Sequence, residues 1–194
     1  MAVVFHLFLY PAMGQSVPGR NWVDSESDFS LSSKVKLNFQ NSLPKGGSSY
    51  VDSAGNKYNY VVFWTRMRND SDATVEVSLR YPSAPLKIFQ SKESHIRIIL
   101  PSDKMTADKI QLFNYGLADM KDELLTGFHQ FKKRKMTLRP KESQYFYTMV
   151  LFSNVSGSTR TAYVVKGNEL YFRFSTEPGV KDKMISCGKL VIKS

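Results

Sequence analysis

Cysteine is almost absent from this sequence. Cys187 is the only one among 194 residues, so the chain can form neither an intrachain disulfide nor a zinc site built from several cysteines. It lies in a predicted strand beside Gly188 and Leu190, where an inert buried thiol is a better interpretation than a nucleophile. Without such cross-links the fold must depend on its hydrophobic core, and a chain of this length can supply one.

Motifs of catalysis and cofactor binding are also missing. The sequence contains no P-loop, GxSxG or GxGxxG motif. Its three histidines, His6, His95 and His129, show neither HxH nor HExxH spacing, and its acidic residues do not follow the EF-hand pattern. The sequence therefore predicts a protein that is not an enzyme, with no catalytic residues, no metal site and no cofactor.

No apolar run is long enough for a transmembrane helix, which needs about 18 residues or more. Residues 2–13 (AVVFHLFLYPAM) are uncharged and apolar, and they match the apolar core of a signal peptide with a cleavage site after Gly14. A signal peptide normally begins with basic residues, and no Lys or Arg precedes this run. Two further interpretations are therefore a start codon upstream of Met1, which would restore the basic region, and a buried first strand in place of a signal peptide. We expect residues 1–14 to be a signal peptide and the protein to be exported to the periplasm, the cell surface or the extracellular space.

Acidic residues are too few to balance the basic ones. The chain has 27 Lys and Arg against 17 Asp and Glu, a net charge of +10. Residues 81–194 carry 19 basic and 10 acidic side chains, whereas residues 1–80 carry 8 and 7. A basic surface favours anionic partners, and solubility alone is the competing interpretation.

One segment concentrates this positive charge. Six basic residues fall within ten positions, namely Lys132, Lys133, Arg134, Lys135, Arg139 and Lys141. Aromatic residues flank them, with Phe128 and Phe131 before and residues 145–147 (YFY) after. Positive charge beside aromatic rings suits a single-stranded nucleic acid or an acidic glycan, and export disfavours nucleic acid. A solvated connection and an edge strand protected by lysines are the alternative interpretations.

Alternation of apolar and polar residues predicts strands along most of the chain. Val35, Leu37 and Phe39 alternate with polar residues, as do residues 75–81 and 96–100. Residues 58–67 are apolar on both faces, as in a central strand. The polar turn at 68–72 predicts a hairpin between that strand and 75–81, and 166–168 predicts a second hairpin between 160–165 and 170–174.

Two segments depart from the strand pattern. Residues 15–33 are polar and rich in Ser, Asp and Gly, which predicts a flexible entry segment. Within 106–126 the apolar residues recur at spacings of three and four (Ile110, Phe113, Leu117, Met120, Leu124). This spacing predicts a helical insertion, either continuous or divided at Gly116. We therefore expect residues 34–194 to form one all-β domain, a sandwich of about nine or ten strands with one helical insertion.

Two short stretches resemble known families. Residues 52–58 (DSAGNKY), with 68–71 (RNDS) before a strand, are similar to exported β-sandwich proteins of Bacteroidetes-type bacteria. Residues 137–143 (TLRPKES) resemble the L-x-P-G-x-S turn of bacterial immunoglobulin-like domains, with Lys141 in place of the usual glycine. This resemblance implies an exported sandwich of the immunoglobulin-like, Greek-key type, and it carries over no catalytic or ligand residues.

These observations lead to two hypotheses of function. The first is an exported binding or adhesion module for an acidic polysaccharide or a cell-surface partner, which an exposed Trp64 or Tyr171 would favour. The second is a structural or chaperone-like accessory protein of the envelope that pairs strands with a partner protein, which a long unpaired edge would favour. A deep pocket with clustered carboxylates would instead favour an enzyme of unrecognised type.

Overall fold

The computed structural model is an all-β protein, as the sequence predicts. It describes residues 21–52, 54–82, 84–87, 94–118, 124, 133–153, 159–175 and 182–193. Within these ranges eleven strands form two antiparallel sheets, the arrangement of a β-sandwich. The predicted signal peptide, residues 1–14, lies outside the described residues.

Sheet A contains six strands. They are β1 (Val23–Ser32), β2 (Val35–Ser42), β3 (Lys45–Val51), β4 (Lys57–Asn69), β6 (His95–Ile99) and β8 (Ser143–Ser153). Their order is β1-β2-β4-β8-β6. β2 and β3 share one edge of β4, with β2 beside residues 65–69 and β3 beside 57–62, while β8 occupies the other edge. The long β4 is therefore central, as its two apolar faces predict.

Sheet B contains the remaining five strands. They are β5 (Thr74–Arg80), β7 (Lys133–Leu138), β9 (Arg160–Lys166), β10 (Glu169–Ser175) and β11 (Lys183–Lys193), in the order β7-β5-β11-β10-β9. The predicted hairpin of β9 and β10 is confirmed, and Gly167 takes a φ of +61° in its two-residue loop. Glycine adopts this left-handed conformation without steric cost.

The main core lies between the two sheets. The predicted inward residues Val35, Leu37 and Phe39 of β2 are buried there, together with the alternate apolar residues of β5. Ile96 and Ile98 of β6 join them. Ile99 faces the opposite side of sheet A and is nevertheless buried, because that outward face is also covered.

An irregular segment covers that outward face. Residues Ala107–Gln111 and Phe113–Gly116 form two short 3-10 turns, so the predicted regular helix is wrong over residues 106–118. Its apolar spacing has another cause, since Ile110, Leu117 and Leu124 pack against sheet A while Phe113 is 78% exposed. Of residues 119–126 only Leu124 is described.

Tertiary contacts explain why this segment is not a helix. Asn114 and Tyr115 have φ values of +46° and +58°, which reverse the chain and are strained for residues other than glycine. Tyr115 is fully buried; its hydroxyl donates to the carbonyl of Leu43 at 2.6 Å, and its carbonyl accepts from the Tyr147 hydroxyl at 2.6 Å. These contacts favour the reversed backbone over the helical one.

Two other expectations are corrected by the strand pairing. Most of the predicted flexible entry segment, residues 15–33, is the edge strand β1, because Phe29 and Leu31 pack against the core while its polar residues face solvent. The predicted hairpin of β4 and β5 does not form, since these strands belong to different sheets. Both strands have apolar core faces, and burial of those faces against each other places the strands in opposite layers.

Asn69 holds together two of the connections between the sheets. Its side-chain amide donates to the carbonyls of Ala73 (2.7 Å), Leu138 (3.0 Å) and Arg139 (3.1 Å). Its side-chain carbonyl accepts from the Ser71 amide and hydroxyl. The β4–β5 turn is thereby bonded to the β7–β8 turn, where Lys141 has a φ of +61°, the conformation that the usual glycine of this turn would favour.

We expect Asn69→Ala to lower the free energy of unfolding by about 2–4 kcal/mol, because it removes the donor to the buried Leu138 carbonyl and to two partly buried carbonyls. Asn59→Ala is the matched control. Asn59 is an exposed residue of the same strand, and its side-chain carbonyl accepts one hydrogen bond from the Ser49 hydroxyl. Urea denaturation measures both changes. Equal losses of stability in the two variants would contradict the conclusion that the hydrogen bonds of Asn69 stabilise the fold.

Candidate functional site: a basic sheet face

The predicted basic segment coincides with β7, an edge strand of sheet B. Lys133 and Lys135 are exposed on the outward face of this sheet, since their neighbours Met136 and Leu138 point into the core. Lys132 lies outside the described residues. This placement also fits the alternative interpretation, in which lysines protect an edge strand from aggregation.

The other basic residues of the segment have local partners. Arg134 points toward the core, where its guanidinium donates to the carbonyl of Pro101. The ammonium of Lys141 donates to the Asp70 carbonyl at 2.8 Å and lies 3.1 Å from the Asp72 carboxylate. Arg139 occupies the same turn, and its backbone N–H donates to Glu142. The five described residues of the segment therefore do not form one continuous site.

The structure instead adds basic residues from neighbouring strands. Ser78 of β5 stands opposite Lys135 of β7 on one side and Lys189 of β11 on the other. Arg80 stands opposite Lys133 in the next outward row. Since strands are spaced by about 4.8 Å, Lys135 and Lys189 lie roughly 10 Å apart across the sheet. We define Lys133, Lys135, Arg80 and Lys189 as the basic face.

A shallow depression of about 380 Å³ lies within this face. It is lined by Ser78, Arg80, Glu169, Ser186, Cys187, Gly188 and Lys189. The depression lies beside a β-bulge, where the register of β10 and β11 shifts between Leu170 and Tyr171. A Cβ atom on Gly188 would lie 2.0 Å from the Ser78 carbonyl oxygen, so only glycine permits this close approach.

The charges on the outward face of sheet B are only partly neutralised. Glu76 pairs with Lys193 at 3.2 Å, and Asp182 with Arg173 at 3.6 Å. Glu169 is the acidic residue of the depression. Within the described ranges no carboxylate lies within ion-pair distance of Lys133, Lys135 or Lys189, although Glu169 stands directly opposite Lys189 in the register of β10 and β11.

The aromatic residues beside this charge differ from those expected. Phe146, Tyr147 and Trp64 are buried, so they offer no exposed ring, and Phe128 and Phe131 lie outside the described residues. Tyr171 is half-buried on the outward face of sheet B, and the Lys166 ammonium lies 5.5 Å from its ring centroid. Only cross-strand registers reveal that Tyr171 stands beside Ser186 of the depression.

Behind the depression lies a buried polar chain. The Tyr81 hydroxyl donates to the Tyr163 hydroxyl at 2.8 Å, which lies 2.9 Å from the Thr148 hydroxyl. The thiol of Cys187 donates to the Leu170 carbonyl at 3.4 Å and is 1% exposed. Burial raises the pKa of this thiol to about 12, so it is protonated and unreactive at neutral pH, in agreement with the inert thiol that the sequence predicts.

No protein-family model matches the chain, and no curated protein sequence is significantly similar to it. In the part of the chain that the structure describes, no cluster of three or more His, Cys, Asp or Glu side chains is placed to hold a metal ion. Helices in the same part are too short to span a membrane. The geometry of the basic face is therefore the main guide to function.

The buried groups predict how stability depends on pH. Burial raises the pKa of Cys187 to about 12 and the pKa of Tyr163 well above its usual value, whereas an unfolded chain has values of about 8.5 for Cys and 10 for Tyr. The folded state thus holds these protons more tightly. Their stabilising contribution is complete below about pH 8.5 and is lost as the pH rises toward 12.

We therefore expect the free energy of unfolding to fall from about pH 9 upward. In Cys187→Ala the decline should begin about one unit higher, where the tyrosines of the unfolded chain start to ionise. Urea denaturation at intervals between about pH 7 and 11 tests both statements. A flat profile, or the same onset in the variant, would contradict this account of the thiol.

Proposed function

We propose that this protein is an exported, non-catalytic binding module that holds an acidic polysaccharide on the basic face of sheet B. The observation that carries the proposal is the convergence of Lys133, Lys135 and Lys189 from two strands that are far apart in sequence. Lys189 lines the depression, and Lys133 and Lys135 lie on the neighbouring edge of the same sheet face. Anionic groups repeated along a polysaccharide match such a surface in charge and in length.

The shape of the surface supports a linear ligand. The basic residues lie in two rows across the strands, with Ser78 between Lys135 and Lys189. Ser186 and Glu169 add a hydroxyl and a carboxylate in the depression beside them. Tyr171 adds a half-buried ring in the row next to the depression. A flat sheet face with cations, hydroxyls and one ring offers weak repeated contacts, which suits adhesion to a polymer better than capture of a small molecule.

The finer class of the fold is part of this proposal. We infer that the sandwich is of the immunoglobulin-like, Greek-key type and is related to exported proteins of Bacteroidetes-type bacteria. Connections that repeatedly cross between the sheets, as from β4 to β5 and from β7 to β8, support this class. The turn at Lys141, with its left-handed backbone, supports the resemblance to the L-x-P-G-x-S turn.

A strand-pairing function in the envelope is the second candidate. β1 is a ten-residue edge strand of sheet A with mostly exposed or half-buried side chains. Among the described strands it pairs with β2 alone. An edge of this length can accept a strand from a partner protein. Partner binding that is insensitive to salt and to the lysines of sheet B would favour this function.

The main test is binding to polygalacturonate and dextran sulfate, with neutral dextran as the uncharged comparison. We expect saturable binding to the two acidic polymers that weakens as salt rises from about 0.05 to 0.5 M. The triple variant Lys133→Ser, Lys135→Ser, Lys189→Ser should lose about tenfold or more in affinity, since each exposed contact contributes up to about 1 kcal/mol.

The control for this test removes the same charge from another surface. Lys34→Ser, Lys36→Ser and Lys57→Ser replace three exposed lysines near or on strands of sheet A, so the net charge falls equally. Its affinity should stay close to that of the parent protein. Equal losses in the two triple variants would show that net charge alone governs binding, and no binding at all would overturn the proposal.

Export can be tested separately. When residues 1–194 are produced in a Gram-negative host, we expect protein in the periplasm whose N-terminal residue is Gln15, because cleavage after Gly14 matches the signal-peptide pattern. Intact-mass measurement of the periplasmic and cytoplasmic fractions gives the result. Cytoplasmic protein that retains residues 1–14 would contradict it.

A further inference from the structure

A second cavity lies on the opposite side of the sandwich from the basic face. It measures about 560 Å³ and opens between the start of the covering segment and the start of β8. Its lining consists of Lys104, Met105, Thr106, Ala107, Glu142, Ser143, Gln144 and Tyr145. This volume is within the range of small-molecule sites, about 300–1,000 Å³.

The wall of this cavity includes one aromatic ring that is held in place. Tyr145 is half-buried on the outward face of sheet A, and its ring centroid lies 5.8 Å from that of Trp64 at an angle of 53°. Trp64 is itself 1% exposed. Contact with a buried indole fixes the orientation of the Tyr145 ring before a ligand arrives, which reduces the entropic cost of binding.

The rim opposite the ring is also held in place. The carbonyl of Lys104 accepts from the ammonium of Lys109 at 2.8 Å, and the carbonyl of Thr106 accepts from the Lys109 amide at 3.1 Å. Met105, between these residues, is 2% exposed and packs in the cluster that covers sheet A. The cavity is therefore bounded on both sides by residues with defined positions.

The charges of the cavity lining cancel. Among the described residues that line it, Lys104 is basic and Glu142 is acidic. Glu142 accepts from the Arg139 backbone N–H at 2.8 Å and from the Gln144 amide at 3.0 Å, and these hydrogen bonds lower its pKa, so it is ionised at neutral pH. An anionic ligand has no net attraction here, in contrast to the basic face.

The remaining polar groups are those that recognise hydroxyl groups. Ser143 contributes a hydroxyl that can donate and accept, and Lys104 contributes a donor. The Thr106 hydroxyl donates to the Asp108 carboxylate, so its oxygen remains as an acceptor. Together with the Tyr145 ring, they present one flat apolar surface beside donors and acceptors of no net charge. A pyranose ring has the complementary character, because one of its faces is apolar and its hydroxyls both donate and accept.

We propose that this cavity is a binding site for one or two units of a neutral saccharide, with Tyr145 as the stacking surface and Lys104, Thr106 and Ser143 as hydrogen-bonding groups. The site is independent of the basic face, which lies on the other sheet. The protein would then hold two kinds of sugar, an acidic polymer on sheet B and a neutral unit on sheet A.

The test is titration of the complete protein with glucose, galactose, mannose, N-acetylglucosamine and their β-1,4-linked disaccharides, followed by calorimetry. We expect saturable binding of at least one of them that is unchanged at about 0.5 M salt, since no ion pair is involved. Ala107→Trp should abolish it by filling the cavity from an exposed rim position. Tyr145→Ala should weaken it by about tenfold or more.

The matched control is Ala54→Trp, the same substitution at an exposed turn residue between β3 and β4. It should bind like the parent protein, as should the triple lysine variant of the basic face. If Tyr145→Ala does not fold, Ala107→Trp still decides the question, because Ala107 is exposed. Absence of saturable binding for every sugar, or full binding by Ala107→Trp, would overturn this site while leaving the basic face untouched.

Discussion

The side chain of Asn69 is the interaction on which the relation of the two sheets depends. It lies at the end of β4, fully buried, and bonds to carbonyls of both the β4–β5 and the β7–β8 connections. Buried carbonyls need donors, and few side chains other than an amide could supply these donors while accepting from Ser71. Because β5 and β7 are neighbours in sheet B, this junction sets where the basic strand meets sheet A.

The two outward faces of the sandwich have different environments, because one is covered by another part of the chain and the other is exposed to water. The outward face of sheet A is rich in Tyr and Trp and is covered by residues 105–117. Lys45 secures this cover, since its ammonium donates to the carbonyls of Ile110 and Leu112 and lies 4.0 Å from the Trp22 ring centroid. The outward face of sheet B carries charged residues and serines instead, and it stays in contact with water.

This asymmetry gives each proposed site its character. On sheet B the charges come from strands that are exposed on one face, so an anionic polymer can lie across them. On sheet A the cover ends beside Tyr145, and the gap between cover and sheet forms a cavity with no net charge. The same folding event therefore creates a basic surface on one side and a neutral cavity on the other.

Local alternation of apolar and polar residues is enough to predict the all-β class, the central position of β4 and the inward residues of β2 and β5. A lone cysteine in a strand is enough to predict the inert thiol of Cys187. Three features could not be predicted in this way: the inward hydrogen bond of Arg134, the position of Lys189 beside Lys135 across Ser78, and the irregular backbone of residues 106–118. Cross-strand registers and long-range hydrogen bonds such as that of Tyr115 to Leu43 determine these features, and they join residues whose separation no local pattern records.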